Sequence, residues 1–358
     1  MEQVTGHLEV TDRGFGFLRA IEKNYVPGPD DVYVPAGLIN EHSLPEGGFI
    51  KGDAVPGDPR SGNLKLETVE TINNVPWETF IAFERLQDRV SISPEEKLVI
   101  TQGDDDHTGR TIDMMAPVGK GQRGLIIAPP KAGKTTILRH MANSISMNHP
   151  DVDIFVLLVD ERPEEVTDFK RGLKNAHVLY SSADQSIDQH MRMTRLAMHT
   201  SILCAEAGRD AVVFIDSLTR MSRAFNTKID SRGRTMTGGL GANALQFPRK
   251  IFGAARNVEN GGSLSIFATI LVETGSRMDD IIYQEFKGTG NTDLVLSREC
   301  ADQRIWPAIN INASGTRKEE LLLNKALHQE IIKIRRGLAH LSETQAMSAL
   351  LDYFQDSL

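Results

Sequence analysis

The 358-residue sequence predicts a small β-barrel followed by an α/β domain whose mainly parallel sheet carries a phosphate-binding loop. Three observations predict this. Residues 1 to about 72 read as short period-two strands between Gly/Pro turns. From Thr111 onward, apolar runs alternate with helical stretches, the pattern of parallel strands and crossovers. Between them in importance stands Leu125–Leu138, LIIAPPKAGKTTIL, which reads as buried strand, tight loop and helix start.

The barrel strands come first. His7–Val10, Gly14–Arg19 and Asp31–Val34 alternate, and Leu64–Ile72 reads as a last strand. Phe15 and Phe17 lie two apart and so share one strand face, with Tyr33 on the next strand. Aromatics in Arg13-Gly-Phe-Gly-Phe-Leu resemble the RNA-binding strands of RRM and cold-shock modules, and Arg19 and Asp31 would sit at the edge. The competing reading makes both phenylalanines the core face of the barrel. Residues 73–112 read as a linker, with a helix start at Ser93-Pro-Glu-Glu and a solvated acidic loop at Gln102–His107. The α/β domain is expected over 113–358. Its clearest strands are Gly124–Ala128, Ile154–Val159, Ala211–Ile215, Ser263–Val272 and Thr292–Leu296. Helices are expected at Thr135–Asn148, Pro163–Gly172 and Gln189–Gly208, and over most of Lys318–Asp352 with a break near Gly337.

Composition narrows the chemistry. Two cysteines lie far apart, and ten histidines form no metal-ligand spacing, which argues for a reducing compartment and against structural zinc. No signal-peptide core or bilayer-length apolar run is visible, so a cytoplasmic protein without a membrane partner is expected. A formal charge of −8 requires any nucleic-acid site to be a local basic patch.

The loop Ala128–Thr135 points backbone N–H groups at an anion, with Ala128 where the usual first glycine stands. Lys134 would reach the β/γ-phosphates of ATP, and the Thr135 hydroxyl would bind Mg²⁺. Asp216 ends a buried strand, where a carboxylate orients Mg²⁺. Glu161 ends another, where it can polarise an attacking water, whereas Glu164 and Glu165 read as acids of a helix N-terminus. Arg162, Arg220 and Arg317 are three candidates for the transition-state cation, and position alone does not choose among them. From Arg220 to Glu259 eight basic residues oppose two acidic ones. This stretch contains Ser231–Asn243, a glycine-rich segment able to grip sugar-phosphate, and a second such loop runs Thr274–Arg277, followed by Phe286–Asn291.

The strings GFGFLR, GPDDVYV, GQRGLIIAPPKAGKTT, LLVDERPEEVTDF, IDSLTR, EFKGTGN and SGTRKEELL resemble, in order and over nearly the whole chain, the Rho family of bacterial transcription termination factors. The resemblance implies an oligonucleotide-binding barrel, a RecA-like motor and a homohexameric ring. Such a ring translocates 5′-to-3′ on single-stranded, cytidine-rich RNA, uses ATP and Mg²⁺, and releases RNA from RNA polymerase, with an elongation factor as a possible partner. It implies base stacking by Phe17 and Tyr33 with Phe15, Arg19 and Asp31 nearby. It implies nucleotide contacts from Pro130, Lys131, Ala132, Gly133, Lys134, Thr135 and Thr136, with Trp306 stacking adenine where the family usually has Phe. Glu161 becomes the catalytic glutamate, Arg162 a γ-phosphate neighbour, and Arg317 a finger reaching an adjacent subunit's ATP. Arg234, Thr235 and Thr237 would form one central RNA loop; Arg277, where the family has Lys, the other, with Lys287. The family's N-terminal helical segment and the Glu-Arg-Tyr pattern at Arg60–Asn63 are not matched. Two other classes remain as alternatives: an RNA-binding regulator without a motor role, and a rotary or secretion-type ATPase.

Overall fold

A computed structural model describes residues 1–58, 62–230, 235–236, 240–241 and 244–356. Five strands, Glu2–Val10, Gly16–Arg19, Val32–Val34, Phe49–Pro56 and Leu64–Leu66, close into a barrel. The first strand pairs with both the second and the fourth, and the third pairs in parallel with the fifth. Alternation places Leu8, Leu18, Val32, Val34, Ile50 and Leu66 inside. Burying each such side chain contributes about 1.5–3 kcal/mol. The expected last strand is broken into Leu64–Leu66 and Thr71–Ile72.

Residues 73–112 are divided between the two domains. Val75–Pro76 extends the barrel sheet, and Ser91–Ile92 pairs with Arg256–Val258 in the second domain. One expectation here is corrected. No helix begins at Ser93; the nearby residues instead give the strand Lys97–Leu98, paired with Val118–Gly119. The acidic run is an exposed loop over residues 102–105, as expected, and its last acid, Asp106, caps the helix His107–Met115 at Gly109 N (2.9 Å) and stands 3.1 Å from His140. This local side-chain cap, reaching three residues ahead, fixes the helix start.

The second domain is built on a sheet ordered His177–Ser182, Asp153–Glu161, Asp210–Asp216, Ser263–Leu271, Arg123–Ala128, Thr292–Val295 and Gly315–Thr316. The first six are parallel to their neighbours, and the last is antiparallel. Side chains alternate between two cores. Ile126, Val156 and Phe214 face one layer of helices, and Leu125, Leu157 and Val213 face the other. Such double burial explains why these strands read as unbroken apolar runs. The edge strand His177–Ser182 and the helices Leu218–Asp230, Gln246–Phe252 and Arg277–Phe286 were not expected from the sequence. Beyond the strand Thr292–Val295, Leu296 and Ile309 form an isolated antiparallel bridge.

Candidate nucleotide and RNA sites

The phosphate loop leaves the strand Arg123–Ala128 and enters the helix Lys134–Asn148 through Gly133, whose φ is +87°. Only glycine adopts this conformation without strain, and a Cβ there would also lie 2.9 Å from the Trp306 ring. Trp306, 45% exposed, therefore packs against the loop with area left for a flat ligand. Ala132 is buried, Pro130 half-buried, and Lys131 and Thr136 are exposed at the loop's rim. Ala128, at the position of the departure from the usual pattern, is fully buried at the strand end.

The strands bring the acids to this loop. The Lys134 ammonium donates to Asp216 and lies 3.7 Å from Glu161 Oε2. Asp216 also accepts from the Thr269 hydroxyl at 2.8 Å. Arg220 pairs with Glu161 Oε1 at 3.0 Å and donates to the Asp160 carbonyl. Burial raises the Glu161 pKa to about 7, helped by Asp216 and opposed by Lys134 and Arg220. Glu161 Oε2 and Asp216 Oδ2 are buried without a hydrogen-bond partner.

Those orphaned oxygens test the fit of a cation. Glu161, Glu165 and Asp216 offer ligand atoms within 4.8 Å of one another, and Thr135 Oγ1 donates to Glu165 at 3.2 Å. Hard oxygen donors of this kind suit Mg²⁺. Glu165 was assigned only to the helix N-terminus from sequence. Glu161 ends a strand and Glu165 lies in the first turn of the helix that begins at Pro163, so only the strand-to-helix turn brings the two carboxylates together. Thr269 carried no signal, because its role depends on the adjacent strand.

The candidate arginines separate. Arg162 is exposed beside Glu161. The Arg317 amide donates to Asn291 O, and the Asn291 amide to Arg123 O. Arg317 therefore stands at the opposite end of the phosphate-loop strand, about 17 Å from the loop. Its side chain is exposed and cannot serve its own loop. Lys287 ends the helix Arg277–Phe286, at whose start the exposed Arg277 stands; the two are about 15 Å apart. Lys287 thus belongs to the Arg317 end of the sheet rather than to the Arg277 loop. Thr235 lies on a two-residue strand paired with Leu240–Gly241. Arg234, Thr237 and residues 60–61 lie outside the described residues.

On the barrel, Phe17 and Tyr33 face each other across adjacent strands, and Phe15, Phe17 and Tyr33 have ring centroids 5.6–6.0 Å apart. All three are half-buried on the outer face, while Leu18 is the inward neighbour, so the core-face reading of the phenylalanines fails. Gly16 is needed here: a Cβ would lie 2.5 Å from the Glu9 carbonyl and 2.7 Å from Leu8. The platform borders a cleft of about 840 Å³ reaching Pro29, Asn63 and Lys65. Arg19 is buried, with its guanidinium 4.7 Å from the Phe17 ring centroid, and it is paired with Glu9 and Asp31.

Fold and site define a phosphate-loop ATPase carrying an RNA-binding barrel. Residues 4–78 match "Rho termination factor, RNA-binding domain", and residues 109–316 match "ATP synthase alpha/beta family, nucleotide-binding domain". Over 349 residues the chain is 45% identical to "Transcription termination factor Rho" of Cereibacter sphaeroides, covering 97% of this chain and 82% of that relative. The corresponding protein of Pseudomonas aeruginosa is 44% identical over 361 residues, covering 98% and 85%. The chain belongs to the Rho family of transcription termination factors. An ATPase of a type III secretion system superposes with TM-score 0.61 at 24% identity, covering 70% of each chain, and the E. coli ATPase EscN with 0.59 at 23%, covering 70% of this chain and 59% of that one. At these identities the likeness concerns the fold alone. Among the described residues no helix is long and apolar enough to cross a membrane.

Proposed function

We propose that the protein is an RNA-stimulated ATPase and 5′-to-3′ RNA translocase that releases transcripts from RNA polymerase, working as a homohexameric ring. The observation that carries the ring is the placement of Arg317. A transition-state arginine that cannot reach its own loop is useful only to a neighbour's ATP. The aromatic platform and cleft supply the surface for single-stranded RNA, where each stacked base is worth about 1–3 kcal/mol. Arg277 and the glycine-rich loop after Asp230 are assigned to RNA in the ring centre.

The chemistry follows from charge exchange. Lys134 neutralises Asp216 and stands close to Glu161. ATP phosphates draw the ammonium away, leaving carboxylates that fit Mg²⁺. Bound there by Thr135 with Glu165 and Asp216, the ion would supply neutralisation of phosphate charge. Glu161 accepts a proton from the attacking water, and Arg220 orients its carboxylate. Lys134 and the neighbour's Arg317 oppose charge developing on the γ-phosphate.

Hydrolysis measured at saturating ATP, with and without cytidine-rich RNA, tests the proposal. It should be low alone and rise at least tenfold with RNA. Turnover indifferent to nucleic acid would place the protein among the other ATPases of this fold and overturn the proposal.

A further inference from the structure

The platform strand does not end at the barrel. Arg19 donates Nε to Glu9 Oε2 at 2.6 Å, and its NH1 donates to Asp31. The same Glu9 carboxylate receives a second guanidinium, that of Arg192, whose NH2 donates to Oε2 at 2.6 Å and whose Nε donates to Oε1. Arg192 belongs to the second domain, on the helix Ile187–Glu206, and also donates to the Tyr25 carbonyl at 2.7 Å. Glu9 is 6% exposed, so water does not screen this pairing as it would at a surface. Two arginines and two carboxylates thus form one charge-balanced cluster, and Glu9 is the member shared between domains.

The residues following Arg19 strengthen the connection. Ile21 and Tyr25 leave the barrel and join the hydrophobic core of the second domain. Asn24 clamps the edge strand His177–Ser182, donating to the Tyr180 carbonyl at 2.7 Å and accepting from its amide at 2.9 Å. In that strand Ser182 lies in register with Glu161. The Arg19 guanidinium lies 4.7 Å from the Phe17 ring centroid, so a base stacking on Phe17 would compete with it or press on it. A shift of Arg19 would weaken its pairing with Glu9, and loss of that pairing would leave a buried carboxylate less compensated.

We propose that Glu9 is a positioning residue that couples RNA capture on the barrel to ATP hydrolysis in the motor, by holding Arg19 against the Phe17 ring and Arg192 of the motor helix on one carboxylate. This rests on the barrel's being the RNA-capturing part, as proposed above. Arg192 touches neither the platform nor the nucleotide site. Arg192→Lys keeps the charge but loses the two-point grip on Glu9. Glu9→Gln removes the charge that both arginines share.

The test uses the full-length protein and an oligocytidine probe. Three quantities are measured: oligonucleotide affinity by fluorescence anisotropy, the oligonucleotide concentration giving half-maximal ATPase stimulation, and the KM for ATP. Arg192→Lys is expected to bind the probe within twofold of wild type yet to need about tenfold more for half-maximal stimulation, with the KM for ATP unmoved. Glu9→Gln is expected to weaken both probe binding and stimulation about tenfold. Thermal melting checks that each variant folds, and if Glu9→Gln does not, Arg192→Lys decides. An Arg192→Lys protein with a wild-type stimulation curve, or with only a lowered melting temperature, overturns the proposal. Wild-type hydrolysis that ignores RNA overturns the functional reading itself, and this inference with it.

Discussion

At the scale of single residues, Glu161 shows how much a carboxylate depends on its neighbours. Fully buried beside Asp216, it holds its proton up to about pH 7, although Lys134 and Arg220 pull the other way. A base must be ionised, and kcat/KM reports the free enzyme, so ATPase kcat/KM should climb from pH 6 to pH 8 with a limb near 7. The stability sign is opposite. Between the ordinary 4.5 and about 7 the folded chain keeps a proton that the unfolded chain has lost, so stability from this group falls as pH rises through that window. Glu161→Gln, permanently neutral, should lower turnover at least 100-fold while nucleotide binding persists. It should also lose less thermal stability than wild type between pH 5 and pH 8 in nucleotide-free protein. Comparing melting curves and steady-state rates checks both. Near-normal turnover in this variant would remove Glu161 from the role of base.

At the scale of elements, each functional surface has one indispensable glycine, Gly16 on the platform strand and Gly133 at the helix start of the phosphate loop. Gly16 lets the platform strand lie against Glu9 and Leu8, so its two flanking aromatics stand outward. Gly16→Ala would push a methyl into the Glu9 carbonyl, and overpacking of this kind costs about 1–3 kcal/mol. The expected outcome is a less stable barrel with weaker RNA affinity and unchanged ATP affinity, read by melting, oligonucleotide titration and nucleotide titration. Equal RNA affinity would show that the strand has room that the geometry denies it. The Ser93 region teaches the converse. Pro and acids there satisfy the local signals of a helix start, yet Lys97–Leu98 finds a strand partner in Val118–Gly119, and tertiary pairing overrides the local preference.

At the scale of the whole molecule, one sheet has a nucleotide loop at one end and the exposed Arg317 at the other. In the proposed ring, head-to-tail packing would bring each subunit's Arg317 to the next subunit's phosphate loop. Arg317→Ala subunits mixed with wild type should therefore depress activity more than their share. Activity measured across mixing ratios should fall below the proportional line; a strictly proportional decline would argue against sites completed by neighbours. Solution mass should correspond to six copies.

What the sequence determined by itself was everything encoded in local order. The phosphate loop, the buried strands ending in Glu161 and Asp216, the period-two barrel strands and the aromatic spacing of Phe15 and Phe17 were all legible because backbone geometry repeats over a few residues. The tertiary structure alone decided which face of the platform strand is wet. It also decided that Glu165 and Thr269 join the nucleotide site, that Arg317 stands away from its own loop, and that Glu9 is shared between domains. Each of these depends on which strands lie side by side and on what a side chain meets across them. Such pairings join residues far apart in the chain, such as Glu9 and Arg192, and no short-range pattern records them.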